Sequence, residues 1–194
     1  MPEALTRLVD LGGPVVVALL LLSVVGAAAI IYKLLQLRPY GARYFERLAS
    51  QVASSPAEVA ANDAIGELVA FALAERAADR PRDALETELA RRGNLLLSGL
   101  SRYLRLVELI AYISPLLGLL GTVLGMIDAF RGLAVDVNQA DAGVLAGGIW
   151  EALLTTAVGL GVAIPMTAAH SLLEGRTQRI GERLQDLLER ALSP

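Results

Sequence analysis

The 194-residue chain contains no cysteine, a single histidine (His170) and a single tryptophan (Trp150). Without thiols there can be no disulfide, no thiolate metal ligand and no cysteine nucleophile. One histidine leaves no His-based metal cluster and no ground for a Ser-His-Asp triad. Charge is sparse too. Only 19% of residues are charged, the formal net charge is −3, and no basic stripe interleaved with aromatics occurs, so nucleic acid is not an expected partner. Nor is there a nucleophile–base pair or a phosphate loop, and the expectation is a non-enzyme without cofactor or metal.

What the chain has in abundance is apolar sequence, 55% of all residues, which is too much for an ordinary soluble domain of this size. The reading is an all-α, polytopic membrane protein with three transmembrane helices and long cytoplasmic helical extensions. A short amphipathic lead, Pro2 to Asp10, and Gly12-Gly13-Pro14 form an N-terminal segment, 1–14, and the first span covers 15–32. Eighteen apolar residues suffice to cross a bilayer, with Pro14 placed at the first helical turn. A cleaved signal peptide is the competing reading of this start, since Gly26 to Ala29 are small. Glu3 and Asp10 against Arg7 do not make a positive n-region, however, and the apolar run continues into Ile30-Ile31, so a retained span is expected.

Residues 33–106 are polar and helical, divided at Pro39-Tyr40-Gly41, Ser54-Ser55-Pro56 and Arg80-Pro81-Arg82. One amphipathic helix is expected from Ala57 to Arg80. Another is expected from Pro81, with Leu85, Leu89, Leu96, Leu100 and Leu104 on its apolar face, running without a break into the second span. That span is placed at 107–130, followed by a polar link at 131–143 holding Asp136, Asn138, Gln139 and Asp141. The third span follows at 144–169, and a tail at 170–194 contains an amphipathic helix from Glu174 to Leu192. Fifteen Lys and Arg residues fall in the loop after the first span and in the tail, against Arg7 and Arg131 on the other side. The positive-inside rule then puts loop and tail in the cytoplasm and the N-terminus and link in the periplasm.

The second and third spans carry polar groups where lipid disfavours them. In the second, Gly118, Gly121 and Gly125 leave one side without bulk, and Thr122 sits among them. The plain reading is a helix-packing face, with Thr122 returning a hydrogen bond to its own backbone. In the third, Gly147, Glu151, Thr155 and Gly159 recur every four residues, and Gly148, Ala152 and Thr156 make the adjacent stripe. Glu151, beside Trp150, is either an interfacial carboxylate or one that faces an internal cavity and exchanges a proton there, because an ionisable group in a span is a functional-site hypothesis by default. Glu108 and Asp128 read as interfacial, and His170 as an interfacial anchor. Pro115 and Pro165 are candidate kinks.

Ser114-Pro115-Leu116-Leu117-Gly118-Leu119-Leu120-Gly121-Thr122-Val123 and Gly125-Met126-Ile127, then Glu151-Ala152-Leu153, Thr156-Ala157, Gly159-Leu160 and Ala163-Ile164-Pro165, resemble the signature helices of the MotA/TolQ/ExbB proton channel family, on its ExbB/TolQ side. The resemblance implies a homopentamer in the bacterial inner membrane around a pore. That pore would hold the single spans of two copies of an ExbD- or TolR-like partner carrying a transmembrane Asp, with a TonB- or TolA-like protein beyond. It implies that Thr122 and Thr156 face that Asp, with Glu151 at the matching acidic position and Thr155 in the same wall. Proton motive force would then become mechanical work in the envelope. Departures at Leu120, Leu124 and Ser171 leave the Ton, Tol or other system open, as is the choice of H+ or Na+. The alternative reading is a passive helical scaffold that assembles neighbours without conducting ions.

Overall fold

The computed structural model describes residues 2–56, 59, 61–135 and 142–192, with the backbone alone at 2–12, 133–135, 142 and 144. Among the described residues all regular elements are helical: α1 Pro2–Leu37, α2 Ala42–Ser54, α3 Ala64–Ala77, α4 Arg82–Ser101, α5 Leu104–Val135 and α6 Ala142–Leu192. Three helical stretches, carried by α1, α5 and α6, are long and apolar enough to cross a membrane, so the chain is an all-α polytopic membrane protein. It divides into two compact units, residues 1–31 with 105–171 and residues 32–104 with 172–194.

In the first unit, α1 breaks at Gly13 (φ 58°, ψ −158°), a conformation essentially reserved for glycine, and resumes helically from Pro14. Beyond it, Val16, Leu19, Gly26 and Ala29 are buried. On α5 the buried row is Val107, Ala111, Ser114, Gly118 and Gly121, and on α6 it is Ala152, Thr155, Gly159, Val162 and Met166. Alternating steps of three and four keep these rows on one side of each helix. Ala29, Val107, Ile110, Ala111, Val162 and Met166 meet in one cluster with Leu22 and Ile30 against it. Gly26 is the notch that admits Met166, whose Sδ would lie 2.7 Å from any Cβ there. Of the small residues Gly26 to Ala29, Gly26 and Ala29 are therefore packing surface, while Ala27 and Ala28 are exposed. In lipid, burial of apolar groups drives no association, so this unit depends on close contact and hydrogen bonding.

The second unit is built on larger side chains: Phe45, Leu48 and Val52 on α2, Ile65, Leu68 and Val69 on α3, Leu85 and Leu89 on α4, and Leu173, Ile180, Leu184 and Leu187 on α6 are all buried. Each such residue contributes about 1.5–3 kcal/mol where water is the reference. Arg76 donates to the Ala191 carbonyl at 2.9 Å, satisfying an orphan acceptor at the end of α6.

Three expectations are corrected here. The helix expected from Ala57 begins at Ala64, because Asp63 caps it: its carboxylate accepts from Ile65 N at 3.0 Å and Gly66 N at 2.9 Å, and Asn62 before it lies outside the helix. The helix from Pro81 does not run unbroken into the second span. It ends at Ser101, and α5 restarts at Leu104. In a continuous helix the Leu100 carbonyl would take the Leu104 N–H. Here Lys33 Nζ occupies it at 2.6 Å, and Arg102 N turns back to Gly99 O at 3.4 Å. Conversely, the tail expected as a separate helix from Glu174 is the continuation of α6. The link expected at 131–143 is helical at both ends, and its Asp136, Asn138, Gln139 and Asp141 lie outside the described residues.

Candidate ion-pathway wall

The first unit brings α5 and α6 together along glycines. A Cβ on Gly118 would lie 3.0 Å from both the Thr155 carbonyl oxygen and Thr156 Cα, and one on Gly159 would lie 2.7 Å from the Ser114 carbonyl oxygen and 3.0 Å from Gly118 Cα. Gly125 faces Ala152, Gly148 faces Ala129, and Gly121 receives the Thr155 side chain. Gly147 differs: it is exposed, and nothing lies within 4 Å of where its Cβ would be.

This proximity brings hydroxyls to a shared carbonyl. Thr156 Oγ1 donates to Gly118 O at 3.1 Å across the two helices. Thr155 Oγ1 also lies 3.1 Å from Gly118 O, but its single proton has a nearer acceptor, Ala152 O at 2.7 Å. Thr155 is buried between the helices, only 4% exposed, whereas Thr156 is half-buried at the edge of the contact. One turn further along α5, Thr122 is also half-buried and donates to Leu119 O at 2.6 Å. It opens on a shallow groove of about 590 Å³, lined with Val123, Met126, Ile127, Phe130 and Arg131.

Thr122, Thr155 and Thr156 are thus gathered around one turn of α5. Glu151 is not among them: it is exposed on α6 beside Gly147 and the outward Trp150 and Leu153, away from the α5 contact. Asp128 is exposed near the end of α5, 3.9 Å from Arg131. The backbone stays helical through Pro115 and Pro165. Each proline removes the N–H that would have met the carbonyl four residues earlier, at Ala111 and Gly161. Ser114 entered the sequence-based expectations only as the first residue of the matched motif, with no role; it is fully buried, donates to Ile110 O at 2.7 Å and presents its own carbonyl to Gly159. Its position immediately before Pro115 and four residues ahead of Gly118 was the available signal.

The chain is thus a polytopic helical protein whose second and third spans are seated on glycines, with Thr155 and Thr156 at the seam and Thr122 on the next turn of α5. Residues 53–186 match the MotA/TolQ/ExbB proton channel family, more than half of the chain, and the chain belongs to that family. Among curated proteins it is similar to the biopolymer transport protein exbB1 of Vibrio cholerae serotype O1, 47% identical over 85 residues, which are 44% of this chain and 37% of that protein. It is also similar to the Tol-Pal system protein TolQ of Pseudomonas aeruginosa, 46% identical over 67 residues, 34% of this chain and 29% of the relative. A third is the biopolymer transport protein ExbB of Salmonella typhimurium, 44% identical over 63 residues, 32% and 25% of the two chains. The aligned stretches span little more than a third, or less, of the relatives' lengths.

Proposed function

We propose that this chain is the channel-forming subunit of an inner-membrane motor that converts proton motive force into movement of partner proteins. Five copies surround a pore, and two copies of a single-span, ExbD- or TolR-like partner place a transmembrane Asp against the wall formed by α5 and α6. Thr122 and Thr156 line that wall, Thr155 locks the two helices directly behind it, and Glu151 supplies an acidic group on the flank of α6. A TonB- or TolA-like protein receives the motion. The loop and tail lie on the cytoplasmic side, following the cation bias.

The observation that carries this reading is that Thr156 and Thr122 donate to neighbouring carbonyls of one α5 turn, Gly118 O and Leu119 O, and that Thr122 opens on a groove along α5. Hydroxyls there can exchange hydrogen bonds with a carboxylate that is alternately charged and neutral, while keeping a backbone acceptor in reserve. The energy scale is sufficient: one charge crossing 100 mV supplies about 2.3 kcal/mol, and a few protons bias a conformational step.

The test is to purify the chain with its partner, determine the stoichiometry, and measure ion flux in liposomes under an imposed potential. Thr122→Val and Thr156→Val should each abolish coupled flux with the assembly intact, and Glu151→Gln should reduce it. Full flux in both valine variants would sink the pathway assignment. Assembly without flux in the unaltered complex would favour the passive scaffold.

A further inference from the structure

The second unit holds a small cavity of about 180 Å³ between the segment entering α2 and the tail part of α6, lined by Tyr40, Gly41, Arg176, Arg179 and Arg183. Three arginines line it. Among the described residues none of the three forms an ion pair, although Glu46, Glu174, Glu182 and Asp186 stand on the same two helices. This contrasts with Arg80, Arg82, Arg91, Arg92 and Arg190, all of which hold a carboxylate. Arg183 is steered by the face of Phe45, 5.8 Å from its ring centre. The start of α2 faces the same space, with Gly41 as its N-cap, no side-chain capping bond and no acid in the first turn.

We propose that this cavity binds the phosphate-bearing headgroup of an anionic membrane lipid. Three unpaired guanidiniums favour a phosphate, which accepts paired N–H donors in the planar geometry that arginine offers. Position favours a lipid over a free anion. Along α6 the exposed Leu172 precedes Arg176 by four residues, about 6 Å of helix rise. On the other side of the cavity, exposed Leu34 and Leu35 precede Tyr40 by five or six residues. The headgroup layer extends about 5–7 Å beyond the hydrocarbon on each side. Arg176 therefore stands where the apolar surface ends, at the depth of lipid phosphates, with Arg179 and Arg183 about 4.5 and 10.5 Å of helix rise further out to close on the headgroup from the aqueous side, and under the proposed topology this is the cytoplasmic leaflet with its anionic lipids. The inference rests on that topology and not on the pathway wall.

The experiment uses the full chain in mild detergent, with lipid binding read by native mass spectrometry and by the shift in thermal midpoint. Phosphatidylglycerol should bind at one copy per chain and raise the midpoint, while phosphatidylcholine and millimolar inorganic phosphate should do neither. Substituting Arg176, Arg179 and Arg183 together by Gln should weaken phosphatidylglycerol binding about a hundredfold, given the usual contribution of a cation near an anionic membrane. A variant of equal charge change, with Gln at Arg80, Arg82 and Arg91, should lose less than about threefold. R179K, which keeps the charge and the packing but removes the planar fork, serves if the triple variant does not fold, and should weaken binding several-fold. Equal loss in the pocket and control variants, or unaltered binding in R179K, overturns the site. Displacement by inorganic phosphate, or binding only of an acidic peptide, overturns the lipid assignment. Because no ion flux is read, failure here and failure of the pathway assignment are separately visible.

Discussion

Gly159→Ala adds one methyl group where α5 and α6 approach most closely backbone to backbone. The new Cβ would meet the Ser114 carbonyl oxygen at 2.7 Å and Gly118 Cα at 3.0 Å, and both neighbours are backbone, so neither can swing aside. Ordinary contact begins near 3.4 Å, and the helices must therefore part by about 0.7 Å. Parting by that amount carries the Thr156 to Gly118 bond from 3.1 Å to about 3.8 Å, beyond hydrogen-bond range. Overpacking of this kind costs about 1–3 kcal/mol, and a lost interhelical bond in a membrane protein adds about 0.6 kcal/mol. The gain from replacing a helical glycine offsets about 0.5–1 kcal/mol. Gly161→Ala, two residues away on the same helix, meets nothing within 4 Å and keeps only that gain. The two variants should therefore differ by about 1.5–3.5 kcal/mol with opposite signs relative to the parent, measured by unfolding the purified chain in mixed micelles with helicity as the readout. A difference below about 0.5 kcal/mol would refute the close seating of α5 on α6.

Lys33→Met should destabilise by about 1–3 kcal/mol, since it strips the buried Leu100 carbonyl of its donor; a calorimetric scan with Gln36→Ala as the milder comparison checks this. Burial holds the Lys33 ammonium below its usual value of 10.5. The folded state therefore releases this proton at lower pH than the unfolded chain, and the parent should gain stability relative to Lys33→Met as pH rises through the window below 10.5. A parent-minus-variant difference that falls with pH would contradict the enclosed amine. Asp63→Ala removes the cap of α3 together with the acceptor of Tyr44, whose hydroxyl donates at 2.7 Å, and should cost about 2–3 kcal/mol in chemical denaturation, whereas Asp63→Asn should recover most of it.

The three spans were legible because lipid imposes about twenty consecutive apolar residues on any helix that crosses it, and few other pressures produce such runs. The glycine face was legible in spacing, but not which glycines form it. Gly147, Glu151, Thr155 and Gly159 look like one row. A helix turns about 400° in four residues, so each step drifts some 40°. Over three steps the row leaves the contact: Gly159 and Thr155 lie against α5, while Gly147 and Glu151 do not. Gly148 and Ala152 take their place, which only the position of α5 decides. The break between α4 and α5 was illegible for a related reason. Nothing near Arg102 and Tyr103 signals it locally; its cause is Lys33, sixty-seven residues from the carbonyl it occupies. Likewise the start of α3 depended on Asp63 as a cap, when alanines upstream read equally well as helix.

Lys33 is also the chain's only lysine, and it is fully enclosed between α1 and the end of α4, its ammonium 5.6 Å from the Tyr103 ring centre. A protein with one ε-amine, sequestered, carries its own chemical clock. Amine-acylating reagents can mark that nitrogen only in molecules whose second unit has opened, so the rate of a single mass increment on the Lys33 peptide measures the opening equilibrium directly. Such labelling would follow the closing of this unit in intact membranes, without an introduced reporter residue and without unfolding the spans.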